Sequence, residues 1–228
     1  MSEGLPVVAI DGPVAAGKST VARELARELG FNYVSTGAMY RAVALAVREA
    51  RLDLDGEDFL DRLKKLLADT DIGVTESRIT LNGRDPGAEL NAPGVDDLAS
   101  RLSALAVVRE KVRGLQRQIA MNGAVVMEGR DVGTVIYPEA PFKFFLDADQ
   151  RVRAERRFAQ LKAAGVNTTV DEVLRQLVER DQRDSKREIA PLKPAPDAVV
   201  IDSSSLAVEA VVRRMKELVV RGKSTHGS

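Results

Sequence analysis

A glycine-rich loop near the N-terminus constrains the fold of this chain more than any other feature. The loop reads Gly12-Pro13-Val14-Ala15-Ala16-Gly17-Lys18-Ser19 and matches the pattern G-x-x-x-x-G-K-[ST]. It follows an apolar run, Leu5 to Ile10, and precedes a helical pattern, Thr20 to Leu29. In such a strand–loop–helix, main-chain N–H groups turn toward an anion and the helix adds its positive end. We therefore expect a nucleoside triphosphate site, with Lys18 at the β- and γ-phosphates and the Ser19 hydroxyl on Mg²⁺.

The composition excludes several kinds of protein. Lys and Arg together number 34, as do Asp and Glu, so no net charge attracts nucleic acid or a membrane surface. The absence of cysteine excludes disulfides, zinc–thiolate sites and a cysteine nucleophile. The single histidine, His226, lies in a polar segment, Lys223 to Ser228, that we expect to be disordered. Histidine-based acid–base chemistry is therefore not expected.

Location and partners follow from the same composition. No apolar stretch approaches the ~20 residues of a membrane span, and the N-terminus lacks the pattern of a secretory signal. Three Tyr, six Phe and no Trp provide few platforms on which nucleic acid bases could stack. We expect a cytoplasmic protein that binds neither nucleic acid nor membranes.

Apolar periodicity predicts an α/β fold. Helical spacing predicts helices at 20–29, 40–50, 59–67, 95–104, 106–121, 149–164, 170–184 and 206–220. Short apolar runs predict strands at 5–10, 124–127, 142–146 and 198–201. Near-alternation over 71–81, around Glu76-Ser77, predicts a β-hairpin, and 83–94 is turn-rich. We therefore predict one P-loop domain over 1–228, a doubly wound parallel sheet flanked by helices, with the hairpin in an inserted small α+β subdomain.

Arginine-rich segments indicate phosphoryl transfer. Glu128-Gly129-Arg130-Asp131-Val132-Gly133 follows a predicted strand, where a loop faces bound substrate. A second group, Arg180 to Arg187, lies at the end of a predicted helix. Planar guanidinium groups neutralise the charge on a transferred phosphoryl group, and this chemistry needs no protein nucleophile. The alternative for the second group is a solvated helix face with local ion pairs.

The segment Ser35-Thr36-Gly37-Ala38-Met39-Tyr40-Arg41 supplies another hydroxyl, glycine turn and arginine. Its position about one helix beyond the phosphate loop suits the phosphate of an acceptor. An ordinary helix start capped by Thr36 is the alternative. The chain has no Asn-Lys-x-Asp, the base-reading sequence that a GTPase needs.

Taken together, these motifs resemble the bacterial cytidylate (CMP) kinases of the nucleoside monophosphate kinase group. The matching stretches occur in the family's order along essentially the whole chain: Ile10 to Pro13, Thr36 to Arg41, Glu128 to Val135, Phe145 to Ala148, Glu179 to Asp184, Ala190 to Leu192 and Asp202 to Ser204. The phosphate loop is common to many proteins, but its combination with Gly-Arg-Asp-Val-Gly-Thr-Val is specific. The resemblance implies transfer of the ATP γ-phosphoryl group to CMP or dCMP, with Mg²⁺, by a monomer.

The resemblance also implies a role for particular residues. The catalytic residues are Lys18, Arg130, Arg180 and Arg187. The ATP-binding residues are Gly12, Pro13, Val14, Ala15, Ala16, Gly17, Lys18, Ser19, Thr20, Arg156 and Arg157. The CMP-binding residues are Thr36, Gly37, Tyr40, Arg41, Ser100, Arg109, Arg130, Asp131, Arg180, Asp184 and Arg187. Residues 35–105 would form a monophosphate-binding region, and 153–190 a short lid that includes Arg156 and Arg157.

Among the CMP-binding residues, Ser100, Arg109 and Asp131 would read cytosine. A carboxylate accepts a hydrogen bond from the exocyclic amine, which uracil lacks, so Asp131 would disfavour UMP. Asp184 would hold the 2′ side of the ribose, and Arg41 the acceptor phosphate.

Two positions depart from the family pattern. The family more often has an aspartate where Ser35 stands and an arginine where Asn91 stands. The first departure could change a magnesium-shell or capping contact, and the second could weaken one contact with the acceptor phosphate. Two other readings stay open: a small-molecule kinase with a different acceptor, and a slow regulatory nucleotide-binding protein.

Overall fold

The structure, a computed structural model, describes residues 6–75 and 78–225. The helices are α1 Lys18–Leu29, α2 Thr36–Glu49, α3 Phe59–Asp69, α4 Val95–Leu102, α5 Ala106–Met121, α6 Gln150–Ala163, α7 Val170–Lys186 and α8 Val208–Thr225. The strands are β1 Val7–Asp11, β2 Asn32–Ser35, β3 Ile72–Thr75, β4 Arg78–Leu81, β5 Val125–Gly129, β6 Phe142–Asp147 and β7 Val199–Asp202. A 3-10 turn covers Gly87–Asn91 and a π-helical turn covers Val132–Ile136.

The central sheet has the strand order β2-β5-β1-β6-β7. Strand β1 pairs in parallel with β5 on one side and β6 on the other, and β6 pairs in parallel with β7. Every residue of β1 and β5 is buried, as expected for strands covered on both faces. The chain crosses from one side of β1 to the other between β5 and β6, which creates a crevice at the carboxyl ends of these strands. This is the predicted doubly wound sheet.

Helices α1 and α8 pack over the sheet. Leu25 of α1 and Met215 of α8 are fully buried in one apolar cluster with Ile10, Leu146 and Ile201 from three neighbouring strands. The apolar stripes that predicted these helices thus form the core. The sheet and these helices hold the residues after β1 and β5 in fixed positions.

The chain divides into two compact units, one of which is Val34–Met121 and the other the remainder. The unit Val34–Met121 contains α2 to α5 together with β3 and β4, which pair only with each other in an antiparallel sheet. The hairpin is therefore separate from the central sheet, as predicted. Its turn at Glu76-Ser77 lies outside the described residues.

Several elements differ from the sequence prediction. Strand β2 was not predicted, because it is short and partly polar. Its first residue, Asn32, donates its backbone N–H to the carbonyl of Ala124 at 2.8 Å. Helix α2 begins at Thr36 rather than Tyr40. Helix α8 continues to Thr225, so the expected disorder is wrong for 223–225, whereas His226 lies outside the described residues. Within the described part of the chain, no helix has the length and apolarity that crossing a membrane requires.

Candidate active site

The phosphate loop approaches strand β6 so closely that only glycine fits at its first position. A Cβ atom on Gly12 would lie 2.0 Å from the carbonyl oxygen of Leu146, and the φ angle of Gly12 is +149°. At the other end of the loop, Gly17 has φ 92°, a left-handed conformation, immediately before α1. The two glycines thus let the backbone turn tightly between β1 and α1.

The side chain of Lys18 is buried inside the loop. Its Nζ donates a hydrogen bond to the carbonyl oxygen of Pro13 at 2.6 Å. Burial, and after it the positive charge of Arg130, lower the pKa of Lys18 to about 7, against the opposing effect of Glu128. Arg180 also contributes to the lowering. The ammonium group therefore lies beside other positive charges, and an anionic ligand would offset their repulsion.

Ser19 and Glu128 meet at the start of α1. The Ser19 hydroxyl donates to Oε1 of Glu128 at 3.1 Å, and Glu128 is buried near the end of β5. A hydroxyl and a carboxylate are the oxygen ligands that Mg²⁺ accepts beside phosphates, so this pair fits the metal. The loop motif predicts a metal role for Ser19 but none for Glu128. The signal for Glu128 is an acidic residue near the end of a buried strand.

Asp11, the last residue of β1, is buried and accepts two backbone hydrogen bonds. Its Oδ1 accepts from the N–H of Val132 and its Oδ2 from the N–H of Gly133, both at 2.8 Å. Burial raises the pKa of Asp11 to about 7, although the two backbone hydrogen bonds oppose that shift. No local sequence pattern predicts this role for Asp11, because its partners lie more than 120 residues away.

Asp184 joins two of the predicted arginines. Nε of Arg130 donates to Oδ2 of Asp184 at 3.2 Å, and Nη1 of Arg187 lies 3.8 Å from Oδ1 of the same carboxylate. Asp184 is 4% exposed, so its charge is little screened by solvent. Arg180 lies one helical turn earlier on α7. The basic residues Arg183 and Lys186 of the same segment are exposed.

Helices α6 and α7 connect to the phosphate loop through Arg153, which is 3% exposed. Its Nη1 donates to the carbonyl of Val14 at 3.2 Å and forms an ion pair of 2.6 Å with Asp181 of α7. Val14 also packs against Val173 and Leu177 of α7 in a small apolar cluster. The loop and these two helices therefore form one packed assembly, which sequence analysis missed.

Arg156 and Arg157, predicted to bind ATP, differ in their surroundings. Arg156 donates to the Ser203 hydroxyl at 3.2 Å and to the Ser203 carbonyl at 2.7 Å. The Ser203 hydroxyl in turn donates to the carbonyl of Ala16 in the phosphate loop at 3.0 Å. Arg157 lies near Gln160 on its own helix, at 3.4 Å. Arg156 is thus connected to the loop through Ser203.

The unit Val34–Met121 carries the remaining predicted residues. Nη1 of Arg41 lies 3.6 Å from Oδ1 of Asp96, and a Cβ on Gly37 would lie 3.5 Å from the same nitrogen. The guanidinium carbon of Arg109 lies 5.8 Å from the centroid of the Tyr40 ring, within cation–π distance. Thr36 is buried and begins α2.

The unit also contains Ser100, which is predicted to read the base, and the two positions that depart from the family pattern. Ser100 is partly buried on α4, and its carbonyl accepts from the Ser103 hydroxyl at 2.8 Å. Asn91 is exposed at the end of the 3-10 turn. Ser35 occupies the N-cap of α2 without a side-chain capping hydrogen bond.

Comparisons with known proteins identify the family of this chain. The family model described as cytidylate kinase matches residues 8–221. A cytidylate kinase from Carboxydothermus hydrogenoformans is 45% identical over 218 residues, which cover 94% of this chain and 97% of that protein. Cytidylate kinases from Thermotoga maritima and Geobacter sulfurreducens are each 43% identical, over 93% and 97% of this chain and 96% of each relative.

A solved structure of an uncharacterized protein from Eubacterium ventriosum has the same fold. It aligns with a TM-score of 0.51 and 14% identity, covering 95% of this chain and 98% of that chain. At this identity the similarity concerns the fold alone.

Proposed function

This chain belongs to the cytidylate kinase family, and from that membership we propose that it transfers the γ-phosphoryl group of ATP to CMP and dCMP. The products are ADP and the cytosine nucleoside diphosphate. An oxygen of the acceptor phosphate forms the new bond to the γ-phosphorus as the bond to the β–γ bridging oxygen breaks. Negative charge remains on the oxygens throughout, so the protein must supply positive charge and position.

The observation that carries the proposal is a group of cations near the carboxyl ends of β1 and β5, in which Lys18 is buried and three arginines are partly buried. Arg130 and Arg180 lie near enough to Lys18 to lower its pKa, and Arg130 pairs with Asp184. Arg187 approaches the same Asp184 carboxylate. We assign Lys18, Arg130, Arg180 and Arg187 to the reacting phosphates. In a site that excludes water, such fixed charges stabilise the transition state strongly.

The residues that we assign to ATP are those of the phosphate loop and those connected to it. Residues 12–20 surround the triphosphate, and all of them except Pro13 offer a main-chain N–H group. We place Arg156 on the ATP side because it reaches the loop through Ser203. Arg157 keeps its proposed place in the lid, 153–190, on the family resemblance alone.

Mg²⁺ accompanies ATP in this proposal. Ser19 and Glu128 would hold it, directly or through water, since they supply neighbouring oxygens. When bound, the ion neutralises phosphate charge.

Acceptor recognition uses a second set of residues. Thr36, Gly37, Tyr40 and Arg41 bind CMP, with Arg41 on its phosphate, and Asp184 holds the ribose. Ser100, Arg109 and Asp131 read the base. Asp131 is 3% exposed, and a buried carboxylate discriminates strongly because uracil would leave it without an amine donor. These reactants need no nucleic acid or membrane, and we propose a cytoplasmic monomer, which size-exclusion chromatography with light scattering would check.

An acceptor panel tests the function. ADP release is measured with CMP, dCMP, UMP and AMP, for the wild type and for Asp131→Asn. We expect CMP and dCMP to be preferred, and we expect Asp131→Asn to lower the ratio of kcat/KM for CMP to that for UMP. Equal kcat/KM for CMP and UMP in the wild type would contradict the role of Asp131. Slow ADP release with every acceptor would favour a regulatory protein.

A further inference from the structure

The π-helical turn Val132–Ile136 is capped in an unusual way. Its N-cap residue is Asp131, a residue type that normally accepts hydrogen bonds from the first N–H groups of its own helix. The Asp131 side chain makes no such capping bond. The N–H groups of Val132 and Gly133 are instead bound by the two carboxylate oxygens of Asp11, each at 2.8 Å. A strand residue far away in sequence has therefore replaced the local cap.

We propose that Asp11 is a positioning residue that caps this turn in place of Asp131 and so leaves the Asp131 carboxylate to read the base. The inference rests on the proposed function, which assigns Asp131 to cytosine. The scheme assigns Asp11 no contact with either nucleotide; each of its oxygens accepts one backbone N–H.

The strand register explains why Asp11 can do this. Asp11 is the register partner of Gly129, so β1 ends beside the point where β5 leads into Arg130 and Asp131. Gly133 allows the close approach: a Cβ there would lie 3.5 Å from Oδ2 of Asp11 and 3.2 Å from two carbons of Lys143. Asp11 also directly precedes Gly12, so the same carboxylate links the base-reading turn to the phosphate loop.

Electrostatics support the capping of this turn by Asp11 rather than by Asp131. Burial raises the pKa of Asp11, and the negative charge of Asp131 adds to that shift. Two carboxylates beside one helix start repel each other, and only one can hold the two N–H groups. With Asp11 in that position, the N–H groups of Val132 and Gly133 already have a carboxylate partner other than Asp131.

A double-mutant cycle tests the inference. The ratio of kcat/KM for CMP to that for UMP is measured for the wild type, Asp11→Asn, Asp131→Asn and the double variant. Asparagine has an NH₂ group in place of one carboxylate oxygen. This group cannot accept a hydrogen bond from a backbone N–H, so one of the two cap bonds is lost. We expect the ratio to fall about tenfold in Asp11→Asn, and no further fall when this change is added to Asp131→Asn. Binding of ADP to the free protein, measured by calorimetry, should be retained.

The control is Asp147→Asn. Asp147 ends the adjacent strand β6, and its Oδ1 likewise accepts a backbone N–H, that of Ala148, at 2.8 Å. We expect this variant to keep the wild-type CMP/UMP ratio.

The outcomes separate the inference from the function. If Asp131→Asn keeps the wild-type ratio, the assignment of Asp131 to the base fails. The capping inference is overturned if the CMP/UMP ratio of kcat/KM falls in Asp131→Asn but not in Asp11→Asn. It is also overturned if the two falls multiply in the double variant.

A measurement on the wild type covers the case in which Asp11→Asn does not fold. The ¹³C carboxyl resonances of Asp11 and Asp131 are followed by NMR during titration with CMP. We expect the Asp131 signal to move and the Asp11 signal to stay. Movement of the Asp11 signal alone would overturn the inference.

Discussion

Lys18 Nζ donates a 2.6 Å hydrogen bond to the carbonyl oxygen of Pro13, within the loop that would hold the triphosphate. The ammonium group is thus held by its own loop through a charge-assisted hydrogen bond. A phosphate oxygen, which carries a full negative charge, is a stronger partner than this carbonyl. Transfer of Lys18 from Pro13 to phosphate is therefore the expected change on binding ATP.

Replacement of Lys18 by methionine should abolish most of the activity and preserve the fold. The variant removes a cation that we assign to the reacting phosphates, and we expect kcat to fall by about 10²–10³-fold or more. The circular dichroism melting curve should show no loss of stability, because the methionine removes a buried charge. Lys64→Met, which alters an exposed lysine paired with Asp61, is the control and should keep full activity. Retained activity in Lys18→Met would show that the loop is not the catalytic phosphate site.

The stability of the nucleotide-free protein should depend on pH through Lys18. Burial lowers its pKa from the ordinary value of 10.5 to about 7. Between these values the unfolded chain binds more protons at this site than the folded protein, so the free energy of unfolding rises with pH. Below about pH 7 the cost of the buried charge is fully present. We expect the wild type to gain stability relative to Lys18→Met from pH 7 upward, as measured by urea denaturation at several pH values. A constant difference would contradict the lowered pKa.

The buried ion pair of Arg153 and Asp181 should matter far more than an exposed pair on the same helices. Their side chains are 4% and 17% exposed, so Arg153→Met leaves a carboxylate in a largely buried position. We expect a loss of about 3–5 kcal/mol, much of it recovered in the double variant Arg153→Met/Asp181→Leu. The pair Arg151 and Asp171 also joins α6 to α7 but is 56% and 79% exposed. Arg151→Met should cost no more than about 1 kcal/mol by the same urea denaturation.

Two glycine-to-alanine changes should have opposite effects on stability. Gly12→Ala places a methyl group 2.0 Å from the Leu146 carbonyl oxygen, and strand β6 cannot move without breaking the core. We expect this variant to lose roughly 4 kcal/mol or to fail to fold. Gly114 lies within α5 with no atom within 4 Å of the added Cβ. Gly114→Ala should raise the free energy of unfolding by about 0.5–1 kcal/mol.

Asp96 should weaken binding of the acceptor. Its carboxylate lies 3.6 Å from the guanidinium of Arg41 and would compete with the CMP phosphate that we assign to that cation. Because both side chains are partly exposed, the effect is modest: we expect Asp96→Asn to lower KM for CMP about 2–5-fold. Asp97→Asn removes the same charge from the same helical turn and should change KM less. A higher KM in Asp96→Asn would mean that Asp96 orients Arg41 rather than opposing phosphate.

The elements that the sequence predicted well are those with a local signal. Helix 106–121 was predicted with its observed limits, since α5 has sustained apolar spacing. The separate hairpin was predicted from its alternation. Strand β2 was missed because four residues with little apolar character become a strand only by pairing at a sheet edge. The π-helical turn after β5 was missed because two of its N–H groups are bound by Asp11, which lies far away in the sequence.

The sequence by itself determined the nucleotide class, the α/β architecture and the set of arginines, because each depends on neighbouring residues in a short pattern. Only the tertiary structure decided how the side chains are paired: Glu128 with Ser19, Asp184 between Arg130 and Arg187, and Asp11 on the turn after β5. Most of these pairs join residues more than 50 positions apart. The physical reason is that hydrogen bonds between distant segments form where the parallel sheet brings strand ends together, and a single sequence carries no local mark of which ends will meet.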